Sequence, residues 1–232
     1  MKIAISGKLR SGKDTIGKQL IEMYGFEEFK FSSGITKLIQ DYFPSNVYSK
    51  GKLREHYQTI GQSIRGLDEN VWIRYTHNQI QEHLRQHGSK TNIVITDLRQ
   101  QNEANYLREN GFTIIKVEAL SGLRVQRAKD SGDIFNIDDF NHETELSVDH
   151  IIADYVLDNN GTLEELTSQM NMLMMSLCYR ELVSEDPFMN SIREAASKAL
   201  EESFSKMLRK DKPTMFSLDN SHPRLEKRFY NY

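Results

Sequence analysis

The chain has 232 residues, of which 38% are hydrophobic and 27% charged, and its formal net charge is −3. This composition excludes collagen-like, low-complexity and wholly disordered chains, and the length predicts one domain with room for an appendage. The single cysteine, Cys178, excludes an internal disulfide and a zinc site with four thiolates, and we expect it to be buried. No segment has the apolar length of a signal peptide or a membrane helix, so we expect a soluble cytoplasmic protein.

Charge is distributed unevenly along the chain. Residues 206–232 hold seven basic and three acidic side chains, a balance of +4, which leaves −7 for the rest of the chain. A basic tail of this kind can contact nucleic acid or phosphates, but a solvated C-terminal extension explains it as well. The acidic balance of the whole chain does not favour a nucleic-acid partner.

The first half of the chain is predicted to open with a strand, a glycine-bounded loop and a helix. The strand is Lys2 to Ser6, glycines interrupt the pattern between 7 and 12, and the apolar spacing of a helix then continues to Gly25. Three more helices are expected before residue 90. They cover a stretch from Ser33, as a possible cap, to near Pro44, then 51–64, then 69–87 with Asp68 as a candidate N-cap.

The second half alternates strands and helices more clearly. Strands are expected at 92–97, 112–118 and 155–158, with helices at 101–110, from Thr162 through Met175 or beyond, and at 186–209. The polar stretch 121–150 is interpreted as a mobile excursion. Four or five strands alternating with helices predict a doubly wound α/β domain with a parallel sheet, over residues 1–179. Residues 180–232 are expected to form a C-terminal helical extension with a basic tail.

The segment after the first strand matches the pattern G-x-x-x-x-G-K, with the residues Gly7, Lys8, Leu9, Arg10, Ser11, Gly12 and Lys13. Small residues let successive backbone N–H groups curl around phosphate oxygens, and the following helix N-terminus favours the anion. Lys13 would then reach the β and γ phosphates. Because the match lies between a strand and a helix, it predicts a nucleotide-phosphate site, with a plain glycine turn as the alternative.

The residue after Lys13 departs from the usual pattern, in which a Ser or Thr hydroxyl binds Mg²⁺. Here Asp14 takes that position and Thr15 follows. A carboxylate is a good oxygen ligand for Mg²⁺, so Asp14 is a candidate metal ligand. Alternatively, Asp14 only favours the first turn of the helix through its charge.

Three segments together resemble the bacteriophage deoxynucleoside monophosphate kinases. The loop Ser11-Gly12-Lys13-Asp14-Thr15 is similar to the family's phosphate loop, and animal phosphomevalonate kinases share a related Gly-Lys-Asp loop. The segment from Ile95 to Ala104 resembles the family's Thr-Asp-x-Arg-x-x-Asn-Glu motif, and the segment from Val156 to Leu166 resembles its closing Asn-Gly-Thr helix start. The resemblance covers about residues 1–176 and implies a P-loop kinase fold with a lid at about 121–150.

Candidate residues for binding the phosphate acceptor lie at the end of the second predicted buried strand and within the segment 61–72. Asp97 and Arg99 stand at the carboxyl end of a strand, where open α/β sheets bind ligands. Asp97 could contact Mg²⁺ through water or orient the acceptor phosphate, and Arg99 offers a fork suited to that phosphate, unless the two only tie a loop together. The resemblance implies that Arg65 holds the monophosphate and that Trp72 packs on the base or on the wall behind it. A core position for Trp72 is the alternative.

Lid cations are the last group that the resemblance implies. Arg124, Arg127 and Lys129 occupy the lid position and would stabilise charge on the transferring phosphoryl group, with a solvated helix face as the alternative reading. Arg10 is a further candidate for that contact. Where the family shows a Ser-Glu pair after its lid, this chain has Thr144-Glu145, so no role is assigned to Glu145.

The sequence therefore predicts a kinase that uses ATP and Mg²⁺ to phosphorylate a nucleoside or deoxynucleoside monophosphate. Its host would be a bacterium that carries a phage, its partner a small-molecule substrate, and a homodimer through the helix at 186–209 is possible. One alternative is a kinase for another small phosphorylated acceptor, such as phosphomevalonate. The other is a non-catalytic nucleotide-binding module whose basic tail contacts nucleic acid or a protein.

Overall fold

The computed structural model describes residues 1–43, 54–88, 90–131, 143–183 and 197–203. The strands in these ranges are β1 (Lys2–Ser6), β2 (Glu27–Phe29), β3 (Ile93–Leu98), β4 (Thr113–Glu118) and β5 (Tyr155–Asp158). The helices are α1 (Lys13–Tyr24), α2 (Ser33–Tyr42), α3 (Arg54–Leu67), α4 (Val71–His87), α5 (Gln101–Glu109), α6 (Ser121–Asp130), α7 (Glu143–His150) and α8 (Leu163–Val183). Residues 197–203 are also helical.

The five strands form one parallel sheet in the order β2-β3-β1-β4-β5. From β1 the chain continues through α1 to β2 on one side, and from β4 it continues to β5 on the other. The connections therefore diverge between β1 and β4, and a crevice opens there at the carboxyl ends of the strands. The predicted doubly wound parallel sheet flanked by helices is confirmed.

Both faces of the sheet are covered by helices, and successive strand residues alternate between two apolar cores. One core holds Ile3 and Ile5 of β1 together with apolar side chains of α1 and α8, including Ile16, Leu20, Leu166 and Met170. The other core holds Ala4 of β1 together with side chains of α2, α4 and α5, including Ile35, Trp72, Ile80 and Leu107. The central strands are buried on both sides, which holds their carboxyl ends in fixed positions.

Two sequence-based expectations need correction at the level of elements. Strand β2 was not predicted, because Glu27-Glu28-Phe29 has no apolar pattern and becomes a strand by parallel pairing with Ile93 to Ile95 of β3. Helices α6 and α7 occupy the ends of the stretch 121–150, for which no helix bounds were predicted. The residues between these helices, 132–142, lie outside the described part of the chain.

The predicted N-caps of two helices are each displaced by one or two residues. Ser32 precedes α2, and Ser33 is the first helical residue, with its hydroxyl donating to the carbonyl of Lys30 at 2.6 Å. Asn70 precedes α4, whereas Asp68 accepts the backbone N–H of Asn70 at 3.1 Å. The cap prediction for Asp68 was wrong because its carboxylate closes the turn before the helix.

Helix α8 continues past Met175 to Val183, as the prediction allowed, and Cys178 is exposed on it, not buried as expected. Arg180 of α8 donates to the hydroxyl of Tyr155 at 2.5 Å and to the hydroxyl of Ser197 at 2.8 Å. The described part of the predicted helix at 186–209 thus contacts the end of α8. Within the described ranges, no helix combines the length and the apolar character needed to cross a membrane.

Candidate active site

The loop Gly7–Gly12 lies at the crevice between β1 and β4 and has no room for side chains at its two glycines. A Cβ at Gly7 would lie 2.7 Å from the carbonyl oxygen of Val117. Gly12 has φ 103°, and a Cβ there would lie 2.1 Å from Nδ2 of Asn159. The loop is therefore pressed against the ends of β4 and β5, and its backbone curls tightly ahead of α1, as a phosphate cradle requires.

Polar groups inside this loop are buried in a way that a bound anion would explain. Ser11 is 1% exposed, and its Oγ has no hydrogen-bond partner among the described residues. The side chain of Lys13 is 7% exposed, with Nζ 3.7 Å from a carboxylate oxygen of Asp14. A buried hydroxyl without a partner is costly, and phosphate oxygens would supply its missing acceptor. The predicted cofactor residues thus form a cradle that fits a phosphate chain.

Asp14 has the accessibility that a metal contact needs. Its side chain is 87% exposed on the first turn of α1, and Thr15 follows it, with its N–H bonded to the carbonyl of Gly12 at 3.1 Å. No group of three or more His, Cys, Asp or Glu side chains in the described ranges could hold a metal ion by itself. Because Mg²⁺ is usually held by one or two carboxylates plus substrate phosphates, these residues fit a metal that arrives with a nucleotide.

Helix α6 places two predicted lid arginines against the loop. Arg124 is 7% exposed and donates from Nη1 to the carbonyl of Leu9 at 3.3 Å. Arg127 donates from Nη2 to the backbone carbonyl of Asn159 at 2.9 Å, and its Nη1 is buried without a hydrogen-bond partner among the described residues. Neither arginine lies on a solvated helix face, so both cations lie beside the phosphate cradle.

Asn159 joins three parts of this cradle, although the sequence suggested no role for it. Its Nδ2 donates to the carbonyl of Ser11 at 2.7 Å, and its backbone and side-chain oxygens accept Arg127. The resemblance contained the signal, because Asn159 begins the Asn-Asn-Gly-Thr segment. What the sequence could not show is that this segment reaches the phosphate loop.

Asp97 has a structural task next to its predicted catalytic one. Its Oδ1 accepts the backbone N–H of Phe31 and its Oδ2 that of Ser32, each at 2.9 Å. Both carboxylate oxygens therefore hold the connection between β2 and α2 at the carboxyl edge of the sheet. Each oxygen keeps a second lone pair for a further contact.

Arg99 and Arg65 are brought together through two buried carboxylates. Arg99 forms an ion pair with Glu145, which is 3% exposed. Arg65 donates from Nη2 to Glu103 at 3.0 Å, and the other oxygen of Glu103 accepts the backbone N–H of Arg99 at 3.0 Å. The predicted acceptor arginines thus share one hydrogen-bonded cluster with their counter-charges.

Burial raises the pKa of Glu103, while the N–H of Arg99 and the guanidinium of Arg65 act in the opposite direction. Glu103 lies in the first turn of α5, and its partner cation, Arg65, comes from α3.

The remaining predicted residues are Lys8, Arg10 and Trp72. The Nζ of Lys8 pairs with Asp149 of α7 at 2.7 Å, so its side chain points to that helix. Arg10 has φ 61°, a left-handed backbone uncommon for a residue with a side chain. Trp72 is 4% exposed in the core that also holds Ile35 and Ile80, with its indole N–H donating to the carbonyl of Gly61 at 3.2 Å, which agrees with the core position given as the alternative and not with a stacking platform.

Comparison with known proteins identifies the family. The sequence model of the deoxynucleotide monophosphate kinase family matches residues 45–170, more than half of the chain. This match includes Asp97, Arg99, Arg124 and Arg127, whereas the phosphate loop precedes it. A protein of Acanthamoeba polyphaga mimivirus, provisionally named a deoxynucleotide monophosphate kinase, is 26% identical over 194 residues, which are 72% of this chain and 93% of the relative.

The fold has a counterpart among solved structures. The crystal structure of TT1252 from Thermus thermophilus matches with a TM-score of 0.50 at 19% identity, over 76% of this chain and 97% of that chain. At this identity the likeness concerns the fold alone. The family match carries the assignment, and the chain therefore belongs to the deoxynucleotide monophosphate kinase family.

Proposed function

We propose that this phosphotransferase moves the γ-phosphoryl group of ATP to the phosphate of a nucleoside monophosphate, with deoxynucleoside monophosphates as the preferred class. The observation that carries the proposal is the convergence of basic residues from separate parts of the chain around one phosphate cradle. Lys13 comes from the loop, Arg99 from the end of β3, and Arg124 and Arg127 from α6. The family match supports the choice of acceptor.

The reaction needs positioning and positive charge more than proton transfer. An acceptor oxygen forms a bond to the γ-phosphorus while the bond to the bridging oxygen breaks, and ADP leaves with the electrons of that bond. Because the second pKa of a phosphate monoester is about 6, the acceptor is already ionised at neutral pH. No general base is required, which agrees with a site built from cations.

The chain's own residues divide this task between donor and acceptor. In the proposal, Lys13 and backbone N–H groups of the loop bind the ATP phosphates. Mg²⁺, when bound at Asp14, would neutralise charge on the β and γ oxygens. Arg65 and Arg99 hold the acceptor phosphate.

Charge on the transferring group is the task of the cations beside the cradle. Arg124 and Arg127 lie close enough to the loop to offset the charge that develops on the phosphoryl oxygens. In the proposal, Asp97 orients the acceptor side through the β2–α2 connection that it holds.

The test is ADP release from Mg-ATP across all common ribonucleoside and deoxynucleoside monophosphates, with phosphomevalonate as an additional acceptor. We expect turnover that depends on one or a few deoxynucleoside monophosphates. Lys13→Ala should lower kcat/KM by about 10²-fold or more, since it removes a preorganised cation from the transferring phosphates. Lys18→Ala is the matched control, because Lys18 lies on the same helix with a 72% exposed side chain and pairs with Glu22.

Each alternative gives a different result. Turnover with phosphomevalonate alone would replace the acceptor in the proposal. ATP binding without any acceptor-dependent ADP release would favour the interaction module. That module further requires salt-dependent nucleic-acid or partner binding that disappears when residues 206–232 are deleted. Full turnover of Lys13→Ala would contradict the mechanism itself.

A further inference from the structure

Glu145 is a buried carboxylate whose two oxygens contact two different parts of the site. Its Oε2 accepts the backbone N–H of Leu9, in the phosphate loop, at 2.6 Å. Its Oε1 accepts the guanidinium of Arg99, at the end of β3. The loop is the donor side of the proposed reaction and Arg99 is on the acceptor side, so one side chain bridges the two.

The rest of helix α7 strengthens the same bridge. The hydroxyl of Ser147 donates to the backbone carbonyl of Arg99 at 2.7 Å, and Asp149 pairs with Lys8 of the loop at 2.7 Å. Glu145 therefore contacts both elements, Ser147 contacts the end of β3, and Asp149 contacts the loop. The helix therefore braces the phosphate loop against the end of β3.

The electrostatics of this contact favour a positioning role. The side chain of Glu145 is 3% exposed and that of Arg99 is 30% exposed. A buried carboxylate must keep its cation, because an unpaired buried charge is strongly unfavourable. Arg99 has five N–H donors in a rigid fork, so the ion pair fixes one edge of the guanidinium and leaves donors for a phosphate.

We propose that Glu145 is a positioning residue that sets Arg99 relative to the phosphate loop and thereby aligns the acceptor phosphate with the transferring phosphoryl group. This inference rests on the proposed function for the identity of the acceptor. Alignment of reacting groups is worth large factors in rate, and a misplacement of about 1 Å can cost about 10²-fold. Glu145 does not touch the substrates in this role.

The decisive experiment is a double-mutant cycle with Glu145→Gln and Arg99→Ala. Glu145→Gln keeps an oxygen for the N–H of Leu9 but removes the charge that holds Arg99. We expect it to lower kcat/KM for the acceptor about tenfold and to change the KM for ATP much less. In the Arg99→Ala background, Glu145→Gln should lower kcat/KM by less than about twofold. The effects of two substitutions add when the residues act independently, and they do not add when the residues act through their mutual contact.

The control and the overturning results are equally specific. Glu201→Gln removes a carboxylate that pairs with Arg180 and has a 59% exposed side chain, and it should leave kcat/KM unchanged. Additive effects of Glu145→Gln and Arg99→Ala would overturn the proposal, as would equal losses for ATP and acceptor. If Arg99→Ala does not fold, Arg99→Gln replaces it, because Gln removes the positive charge that pairs with Glu145 and still offers an N–H donor to the buried carboxylate.

A second measurement separates failure of this inference from failure of the proposed function. The affinity for ADP is measured for the same four proteins in the absence of any acceptor. Because Arg99 would reach the loop only through Glu145, Arg99→Ala should weaken ADP binding a few-fold in the wild-type background and not in the Glu145→Gln background. Absence of turnover with every monophosphate would refute the proposed function. If the effects of the two substitutions on the free energy of ADP binding add, the bridge through Glu145 is refuted.

Discussion

Gly12 lies where the phosphate loop touches the end of β5, and its close contact with Asn159 leaves no space for a methyl group. A Cβ would lie 2.1 Å from Nδ2 of Asn159, which is held by its bond to the carbonyl of Ser11 and by Arg127. The side chain of Asn159 cannot move aside without breaking those bonds. The glycine therefore serves two needs, a left-handed φ of 103° and a contact between loop and strand end.

Gly12→Ala should lower the free energy of unfolding by about 2 kcal/mol, because a strained backbone and a clash both persist only at a cost of this order. We expect Gly12→Ala also to weaken ADP binding, by more than the fraction of unfolded protein alone would explain, because the loop N–H groups would be displaced. Urea unfolding and titration with ADP measure the two effects.

Gly66→Ala is the matched control for that prediction. Gly66 lies in α3, has nothing within 4 Å of the position that a Cβ would take, and has no left-handed φ. The same change there should be neutral or stabilise the protein by up to about 1 kcal/mol. Equal ADP affinities for the two variants would contradict the proposed packing role of Gly12.

The start of α5 is an element whose stability depends on one buried carboxylate. Glu103 is 2% exposed, and its Oε2 accepts the backbone N–H groups of Arg99 and Gln100, each at 3.0 Å. These bonds join β3 to the first turn of the helix, and Arg65 of α3 supplies the counter-charge at Oε1. Groups from α3, from the end of β3 and from the start of α5 therefore stabilise this buried carboxylate.

Burial raises the pKa of Glu103 above its ordinary value of 4.5, and this determines how stability changes with pH. The folded state then holds the proton more tightly than the unfolded state. The contribution of this protonation to the free energy of unfolding is fully present below pH 4.5, and it is lost as pH rises through the folded-state pKa of Glu103. The comparison is the free energy of unfolding of the wild type minus that of Glu103→Gln. We expect this difference to decrease as the pH rises above 4.5, by at most about 1.4 kcal/mol per pH unit.

Urea unfolding between pH 4 and pH 8 measures this difference. Glu109→Gln, the same change at an exposed position of α5, shows the effect of losing one carboxyl group from the helix. A difference that increases with pH would mean that Arg65 and the two N–H donors outweigh the desolvation of Glu103.

At the scale of the whole molecule, one sheet separates helix α1, which follows the phosphate loop, from the only tryptophan of the sequence. Helix α1 contributes Ile16 and Leu20 to the core on one face, and Trp72 lies in the core on the other. Strands β1 and β3 contribute to both cores, so the two layers share their central support. Unfolding of one layer would expose the apolar side chains of the same strands.

ADP at about 100 times its Kd should raise the free energy of unfolding by about 2.7 kcal/mol. Because the layers share one sheet, the shift should be the same by Trp72 fluorescence and by circular dichroism of the helices. A fluorescence midpoint that ADP leaves in place, while the circular dichroism midpoint moves, would show that the layer around Trp72 unfolds separately.

Local sequence predicted the elements whose residues interact with near neighbours. The loop between Gly7 and Lys13, the strands at β1, β3, β4 and β5, and most helix positions follow from glycine placement and apolar periodicity within about ten residues. Strand β2 escaped prediction because its partner β3 lies more than sixty residues away in the chain. Helices α6 and α7 escaped it because their polar surfaces hide a weak apolar pattern.

By itself, the sequence determined the fold class, the phosphate loop and which residue types could carry charge to it. Only the tertiary structure decided their partners: Glu145 between Leu9 and Arg99, Glu103 between Arg65 and Arg99, and Asn159 against Ser11 across 148 residues. The physical reason is the distance along the chain over which each kind of interaction acts. Backbone preferences and helix periodicity act between neighbours along the chain, whereas these contacts exist because the strand order brings distant carboxyl ends to one crevice.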